Sequence, residues 1–168
     1  MKSCVFAGTF DPITIGHEHV IKKCIKKYSK VFVVIGTNPN KNPLFTLDER
    51  LKIVKDTFAD YKNVFVVLYE DKKDNYREFL QKEGVKYYVR GIRTKEDLRF
   101  ENDMKKKNKV LYPFVKTKYV KTPKEFREVS STLVKDLIKN GKDFLEFLPT
   151  NSKKTITEIL ANKTTKNA

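Results

Sequence analysis

Four short clusters hold the residues whose types and spacing suit chemistry. The first is Gly8-Thr9-Phe10-Asp11-Pro12-Ile13-Thr14-Ile15-Gly16-His17, which follows an apolar run and ends where helical spacing begins. A helix start offers unpaired backbone N–H groups and the positive end of the helix dipole, which together favour an anion. Gly16 lets a ligand approach that backbone closely, and His17 adds an imidazole donor at the same spot. A lone Gly-His pair would more simply be a turn with a helix-capping histidine. The second cluster, Arg90-Gly91-Ile92-Arg93, places two of only six arginines within four residues. Two planar forks suit phosphate, and they would equally suit a structural ion pair. The third is Val129-Ser130-Ser131-Thr132, whose hydroxyls at another helix start can cap the helix, meet phosphate oxygens, or do both. The fourth is the loop at 38–46, with Lys41; alone, that is one lysine among thirty. Glu101, unaided, reads as a surface charge.

These clusters need elements to hold them, and the chain alternates in a way that supplies them. Ser3–Gly8, 31–37, Val64–Tyr69, 86–90 and 114–121 are short β-branched and aromatic runs, the pattern of buried strands. Between the first two, Val20, Ile21, Cys24, Ile25 and Tyr28 recur at helical spacing, with Lys22, Lys23, Lys26 and Lys27 on the opposite face. Thr46 and Glu49 form a capping box ahead of the stripe Leu47, Leu51, Val54 and Phe58. Further helices are predicted at 76–84 and 96–108, and from Ser130/Ser131 to a stop at Gly141. Two more follow at 144–148 and 153–160. Residues 1–161 read as one domain, and 162–168 as a tail that should fray. Alternating strands and helices with continuously apolar strands predict an α/β fold, a Rossmann-like open parallel sheet of about five strands with helices on both faces. In such sheets ligands bind beyond the carboxyl ends of the strands. That places the chemistry just after Gly8, Thr37, Tyr69, Arg90 and Lys121.

Composition narrows the function classes. At 168 residues with 39% hydrophobic content the chain can bury a core, which excludes wholesale disorder. No apolar run approaches the ~20 residues of a membrane span, and the N-terminus meets Gly8, Asp11 and Pro12 too early for a signal peptide. Cys4 and Cys24 sit in apolar segments without metal-like spacing, so a soluble intracellular protein is expected. The net charge of +15 invites a nucleic-acid reading, yet thirty of the 36 basic residues are lysines scattered along the chain. Specific recognition leans on arginine forks, and the six arginines are expected mostly in the cleft.

Taken whole, the 8–17 string resembles the signature of the nucleotidyltransferase superfamily, whose members transfer adenylyl or cytidylyl groups through an HxGH motif. Here Thr14 takes the first position, and the variant Thr14-Ile15-Gly16-His17 is similar to that of the phosphopantetheine adenylyltransferases of coenzyme A biosynthesis. Residues 38–46 resemble that family's lysine-bearing loop, 90–93 its RGxR segment and 129–135 its second signature, so the likeness runs in order from Cys4 to about Leu148.

The resemblance implies transfer of the adenylyl group of ATP to 4′-phosphopantetheine, giving dephospho-coenzyme A and pyrophosphate. The acceptor phosphate is itself the nucleophile, so no covalent enzyme intermediate is needed. It implies Thr9, Lys41 and Arg90 on the acceptor phosphate, and His17 as a donor to the α-phosphate. Arg93 and the Ser130-Ser131 turn would steady pyrophosphate. Phe10, Gly91, Ile92, Glu101, Phe126, Arg127, Glu128, Val129 and Thr132 fall on the nucleotide side, and Lys73 beside the pantetheine arm. It also implies Mg²⁺ arriving with ATP, a homohexamer and a cytoplasmic location, with no membrane or specific nucleic-acid partner. The chain departs from the family twice: Lys72-Lys73 stands where relatives commonly have apolar residues, and Phe126 where they often have Trp.

Overall fold

The computed structural model describes residues 2–37, 42–70 and 75–166. Lys41, Lys72 and Lys73 lie outside the described residues. Five strands, β1 (Ser3–Gly8), β2 (Lys30–Gly36), β3 (Val64–Tyr69), β4 (Val85–Ile92) and β5 (Lys116–Lys121), form one sheet in the order β3-β2-β1-β4-β5. Every neighbouring pair is parallel. The helices are α1 (Ile15–Ile25), α2 (Leu47–Thr57), α3 (Tyr76–Lys82), α4 (Lys95–Leu111), α5 (Ser131–Lys139) and α6 (Lys153–Lys166). This is the Rossmann-like open sheet the alternation predicts. The chain winds outward from β1 through β2 to β3, then crosses to β4 on the other side. The order reverses between β1 and β4, and a crevice opens there at their carboxyl ends.

Period-two alternation divides the core between the two faces of the sheet. Cys4 and Phe6 of β1, with Val31, Val33 and Ile35 of β2, join Ile21 and Cys24 of α1, Ile53 and Val54 of α2, Val134 of α5 and Ile156 of α6 in one cluster. Val5, Phe32 and Val34 form a smaller cluster with Tyr76 and Leu80 of α3. Each fully buried aliphatic or aromatic side chain contributes about 1.5–3 kcal/mol. The larger face therefore anchors α1 and α5, the two helices whose N-termini border the crevice.

Local signals hold up well. Thr46 caps α2, its Oγ1 accepting the Glu49 N–H at 3.2 Å while Glu49 Oε2 accepts the Thr46 N–H at 2.8 Å. Gly141 follows α5 with φ +63, the left-handed stop a Cβ would oppose. The weakly periodic 96–108 stretch is helical and longer than its pattern suggests, because Thr94 and Asp97 form a third capping box.

Several boundaries differ. Strand β4 runs two residues past Arg90, since β5 continues to pair with it through Ile92–Lys121. Strand β5 begins at Lys116, because a backbone turn from Val115 N–H to Tyr112 C=O occupies the preceding residues. The 144–148 stretch is a single 3₁₀ turn, Leu145–Phe147. Helix α6 continues past residue 161 to Lys166, and Lys163 bonds back to the body of the protein.

Candidate active site

A cleft of about 760 Å³ opens at the carboxyl ends of β1 and β4, bordered by the start of α1, the first half of α4 and the segment leading into α5. It brings together Thr9, His17, Arg90, Gly91, Arg93, Glu101, Phe126, Val129, Ser130, Ser131 and Thr132, eleven of the residues the sequence singled out. Phe10, Ile92, Arg127 and Glu128 are not among its lining residues, and Lys41 and Lys73 fall outside the described residues.

His17 is the helix-capping histidine its spacing allowed, and it lines the cleft as well. It is the third residue of α1 and completes a capping box with Thr14. The Thr14 backbone N–H donates to His17 Nδ1 at 3.1 Å, while the His17 N–H reaches Thr14 Oγ1 at 3.5 Å. A backbone N–H can only donate, so Nδ1 carries the lone pair and the proton of the neutral ring resides on Nε2. The ring stays neutral because removal from water, followed by the Arg93 and Arg90 guanidinium charges, lowers its pKa from 6.5 to about 4. The imidazole therefore offers the cleft an N–H donor at neutral pH without carrying charge.

Phe10 supports that ring from below. Its side chain is 1% exposed and meets His17 edge-on at 5.2 Å between ring centroids, with Phe6 at 6.3 Å. The Phe10 backbone has φ 49, a conformation a bulky residue seldom adopts. The Phe10 side chain is thus buried as a platform beside His17.

The arginines divide. Arg90 donates from Nε and Nη2 to both oxygens of Glu101, at 2.9 and 2.7 Å, and from Nη1 to Ala7 C=O at 3.3 Å. Burial alone would lower the Arg90 pKa, but the hydrogen bonds and charge of Glu101 outweigh it and raise it. A guanidinium has five N–H donors, so two remain for a ligand. Glu101, 8% exposed, is no surface charge: its fork-on-fork pairing aims Arg90. Arg93 is looser, with Nε 3.3 Å from Asp97 Oδ2 and a side chain 41% exposed. The expectation that the arginines lie mostly in the cleft is met only by these two. Arg50 is buried beneath it, Arg77 holds Leu111 C=O, and Arg127 keeps a buried Nε with no hydrogen-bond partner among the described residues. Gly91 between the pair has a steric reason: a Cβ there would come within 3.0 Å of Val20 Cγ2.

At α5 the two serines are already employed. Ser130 Oγ accepts the Leu133 N–H at 3.1 Å as N-cap, and Ser131 Oγ donates to Pro12 C=O at 2.8 Å. The groups left facing an anion are the first backbone N–H groups of the helix and the Thr132 hydroxyl. Among the described residues no group of three or more His, Cys, Asp or Glu could hold a metal ion. No helix there is long and apolar enough to cross a membrane.

Sequence reasoning missed the residues that hold this arrangement. Asp11, 3% exposed, accepts the Leu44 and Phe45 N–H groups and the Lys135 ammonium. Arg50, also 3% exposed, donates to Thr9, Gly36 and Phe45 carbonyls. A signal for Arg50 was present: it sits between Leu47 and Val54 at helical spacing, a charge on an apolar stripe. Buried Thr122 also lines the cleft, its N–H tied to Ile92 C=O at 2.8 Å.

Comparison with known proteins agrees with this geometry. Residues 5–137 match the family model described as cytidylyltransferase-like. The phosphopantetheine adenylyltransferase of Chromobacterium violaceum is 36% identical over 138 residues, covering 82% of this chain and 83% of that one. That of Wigglesworthia glossinidia brevipalpis is 35% identical over 166 residues, covering 99% and 97%. Among solved structures, a bifunctional NMN adenylyltransferase/ADP ribose pyrophosphatase of Francisella tularensis, complexed with AMP and a manganese ion, superposes with a TM-score of 0.66. It is 17% identical and covers 95% of this chain and 49% of its own, a likeness of fold. With the family model spanning most of the sheet and full-length relatives above 30% identity, the chain belongs to the phosphopantetheine adenylyltransferases within the cytidylyltransferase-like family.

Proposed function

We propose that this cleft transfers the adenylyl group of ATP to 4′-phosphopantetheine, releasing pyrophosphate and dephospho-coenzyme A, in the cytoplasm and from a homohexamer. The observation that carries the reading is the neutral His17 with its proton on Nε2, sharing the cleft at the sheet's switch point with the Arg90 and Arg93 guanidinium groups. Adenylyl transfer needs donors placed where charge shifts, and no proton need leave the anionic acceptor first. The acceptor phosphate oxygen forms a bond to the α-phosphorus as the bond to the bridging oxygen of pyrophosphate breaks.

In this reading Thr9, Lys41 and the two spare N–H groups of Arg90 hold the acceptor phosphate in line. His17 Nε2–H bonds an α-phosphate oxygen. Arg93, with the free N–H groups of α5, takes the leaving pyrophosphate. Gly91, Phe126, Val129 and Thr132 border the nucleotide within the cleft, Ile92, Arg127 and Glu128 flank them along the chain, and Lys73 lies on the pantetheine arm. Mg²⁺ belongs to the nucleotide substrate, held by phosphate oxygens and water, so few protein ligands are required.

The test is pyrophosphate release from Mg·ATP with 4′-phosphopantetheine, with nicotinamide mononucleotide, and with no acceptor. Release with 4′-phosphopantetheine alone is expected. Turnover with the mononucleotide instead, or with neither, overturns the reading.

A further inference from the structure

Lys135 closes the 129–135 signature, yet it is not among the residues lining the cleft. Its Nζ lies 3.1 Å from Oδ2 of Asp11, a carboxylate only 3% exposed in the first loop. The other bonds to that carboxylate are the Leu44 and Phe45 N–H groups, at 3.0 and 2.9 Å, so Lys135 is its one bonded cation among the described residues. Arg50, buried below the cleft, spends its three hydrogen bonds on carbonyl oxygens instead. One turn before Lys135, on the same face of α5, Ser131 Oγ donates to Pro12 C=O at 2.8 Å. Helix α5 thus grips two consecutive residues, Asp11 and Pro12, with side chains four apart, while Val134 beside them is fully buried in the core.

The grip joins the two helix starts that border the cleft. Two residues beyond Pro12, Thr14 caps α1 and holds the His17 ring. At the far side, the first N–H groups of α5 and the Thr132 hydroxyl are the groups left for an anion. The clamp has one neutral bond, hydroxyl to carbonyl, and one charge-assisted bond to a carboxylate almost out of water. The second is the stronger of the two, and its loss would strand a buried charge.

We infer that Lys135 is a positioning residue for the bond-breaking step, holding the start of α5 in place against His17 through Asp11. The inference rests on the adenylyl transfer proposed for this cleft, in which His17 meets the α-phosphate and α5 the leaving pyrophosphate. A bound triphosphate is flexible and can follow a small displacement of α5. The in-line transition state cannot, because the donors at both ends of the breaking bond must coincide with it. Loss of the clamp should therefore tell in kcat, with ATP binding spared. A lysine that touched phosphate directly would lose ATP affinity as well.

The experiment uses the full chain and the variants Lys135→Met, Lys135→Gln and Lys135→Arg. Lys139→Ala, exposed one turn further along α5, is the control and should match the parent. In Lys135→Met, kcat should fall about ten- to hundred-fold, the scale of an ångström's misplacement at a reacting centre, while the Kd for ATP stays within about three-fold. Lys135→Gln, which offers the buried carboxylate a neutral donor, guards against a Met variant that does not fold, and should lose at least about three-fold in kcat. Lys135→Arg, still able to pair with a carboxylate, should recover most of kcat. Amide hydrogen exchange over residues 9–17 and 130–136 gives a readout independent of activity: it should quicken in the Met and Gln variants and not in Lys139→Ala. Parental kcat in the folded Met or Gln variant, an ATP Kd that weakens as far as kcat falls, or unchanged exchange in both segments would each overturn the inference. A wild-type protein inactive on 4′-phosphopantetheine would instead refute the functional reading, and the exchange data would still judge the clamp.

Discussion

Helices α1 and α2 start with the same device and put it to different ends. In both, a threonine N-cap and the third helical residue exchange bonds, Thr14 with His17 and Thr46 with Glu49. At α2 the partner is a carboxylate. Its charge suits the helix dipole, its Oε2 serves both Thr46 N–H and Lys163, and an incoming phosphate would be repelled. At α1 the partner is an imidazole. One ring nitrogen does the capping, the ring stays neutral, and the other nitrogen keeps an N–H for the cleft. Exchanging carboxylate for imidazole at this one position turns a purely structural cap into a cap that also leaves an N–H donor on the wall of the cleft.

The sharpest way to break this contrast is to make α1 resemble α2. In His17→Glu the capping box should survive, with stability within about 1 kcal/mol of the parent because the box is the ordinary kind. The donor, however, becomes an anion facing the α-phosphate. Activity should fall more than ~10³-fold, since loss of one preorganised donor alone costs ~10²–10³. Urea unfolding beside steady-state kinetics separates the two effects.

His17→Ala removes cap and donor together. Here kcat should drop ~10²–10³-fold while ATP still binds within several-fold of the parent, as titration would show. A kcat near the parental value would remove His17 from the chemistry.

Next come the two threonines. Thr14→Ala and Thr46→Ala should each cost about 1 kcal/mol as lost N-caps. Neither should reach the activity loss of His17→Ala, because the Thr14 backbone N–H still holds Nδ1 in its tautomer. A collapse of kcat in Thr14→Ala would show that the hydroxyl, rather than the backbone, orients the ring.

The smallest effect is in pH. The His17 ring signals, followed by NMR, should titrate near pH 4 and stay flat through 6.5. The unfolded chain takes up this proton below about pH 6.5 and the folded one only near 4. The contribution of His17 to stability is therefore complete above 6.5 and is lost as pH falls towards 4. A ring midpoint near 6.5 would mean that burial and the two guanidinium groups do not hold it neutral.

What could be read from the sequence was mostly local. The Thr46–Glu49 box, the stop at Gly141 and the alternation of β1 and β2 depend on neighbours within a turn or a strand, and so appear as spacing. Two of the wrong boundaries fell where distant chain decides. β4 is lengthened by its pairing with β5, and the 162–166 helical end is helped by Lys163 reaching a carbonyl 119 residues away. Glu101 looked like a surface charge because its partner Arg90 lies eleven residues back across a strand–helix turn.

The sequence by itself determined the alternation of strands and helices, and hence that the chemistry lies beyond the carboxyl ends of the strands, those ending near Gly8 and Arg90 among them. Hydrophobic period and helix-cap chemistry suffice for that, since both act over a few residues. Tertiary structure decided the state and aim of the groups there: the neutral His17 ring, the fork of Glu101 on Arg90, and the fastening of Leu44-Phe45 by Asp11, Arg50 and Lys163. Each of these depends on which charges and carbonyls meet when remote segments leave water together, and spacing along the chain carries no record of that.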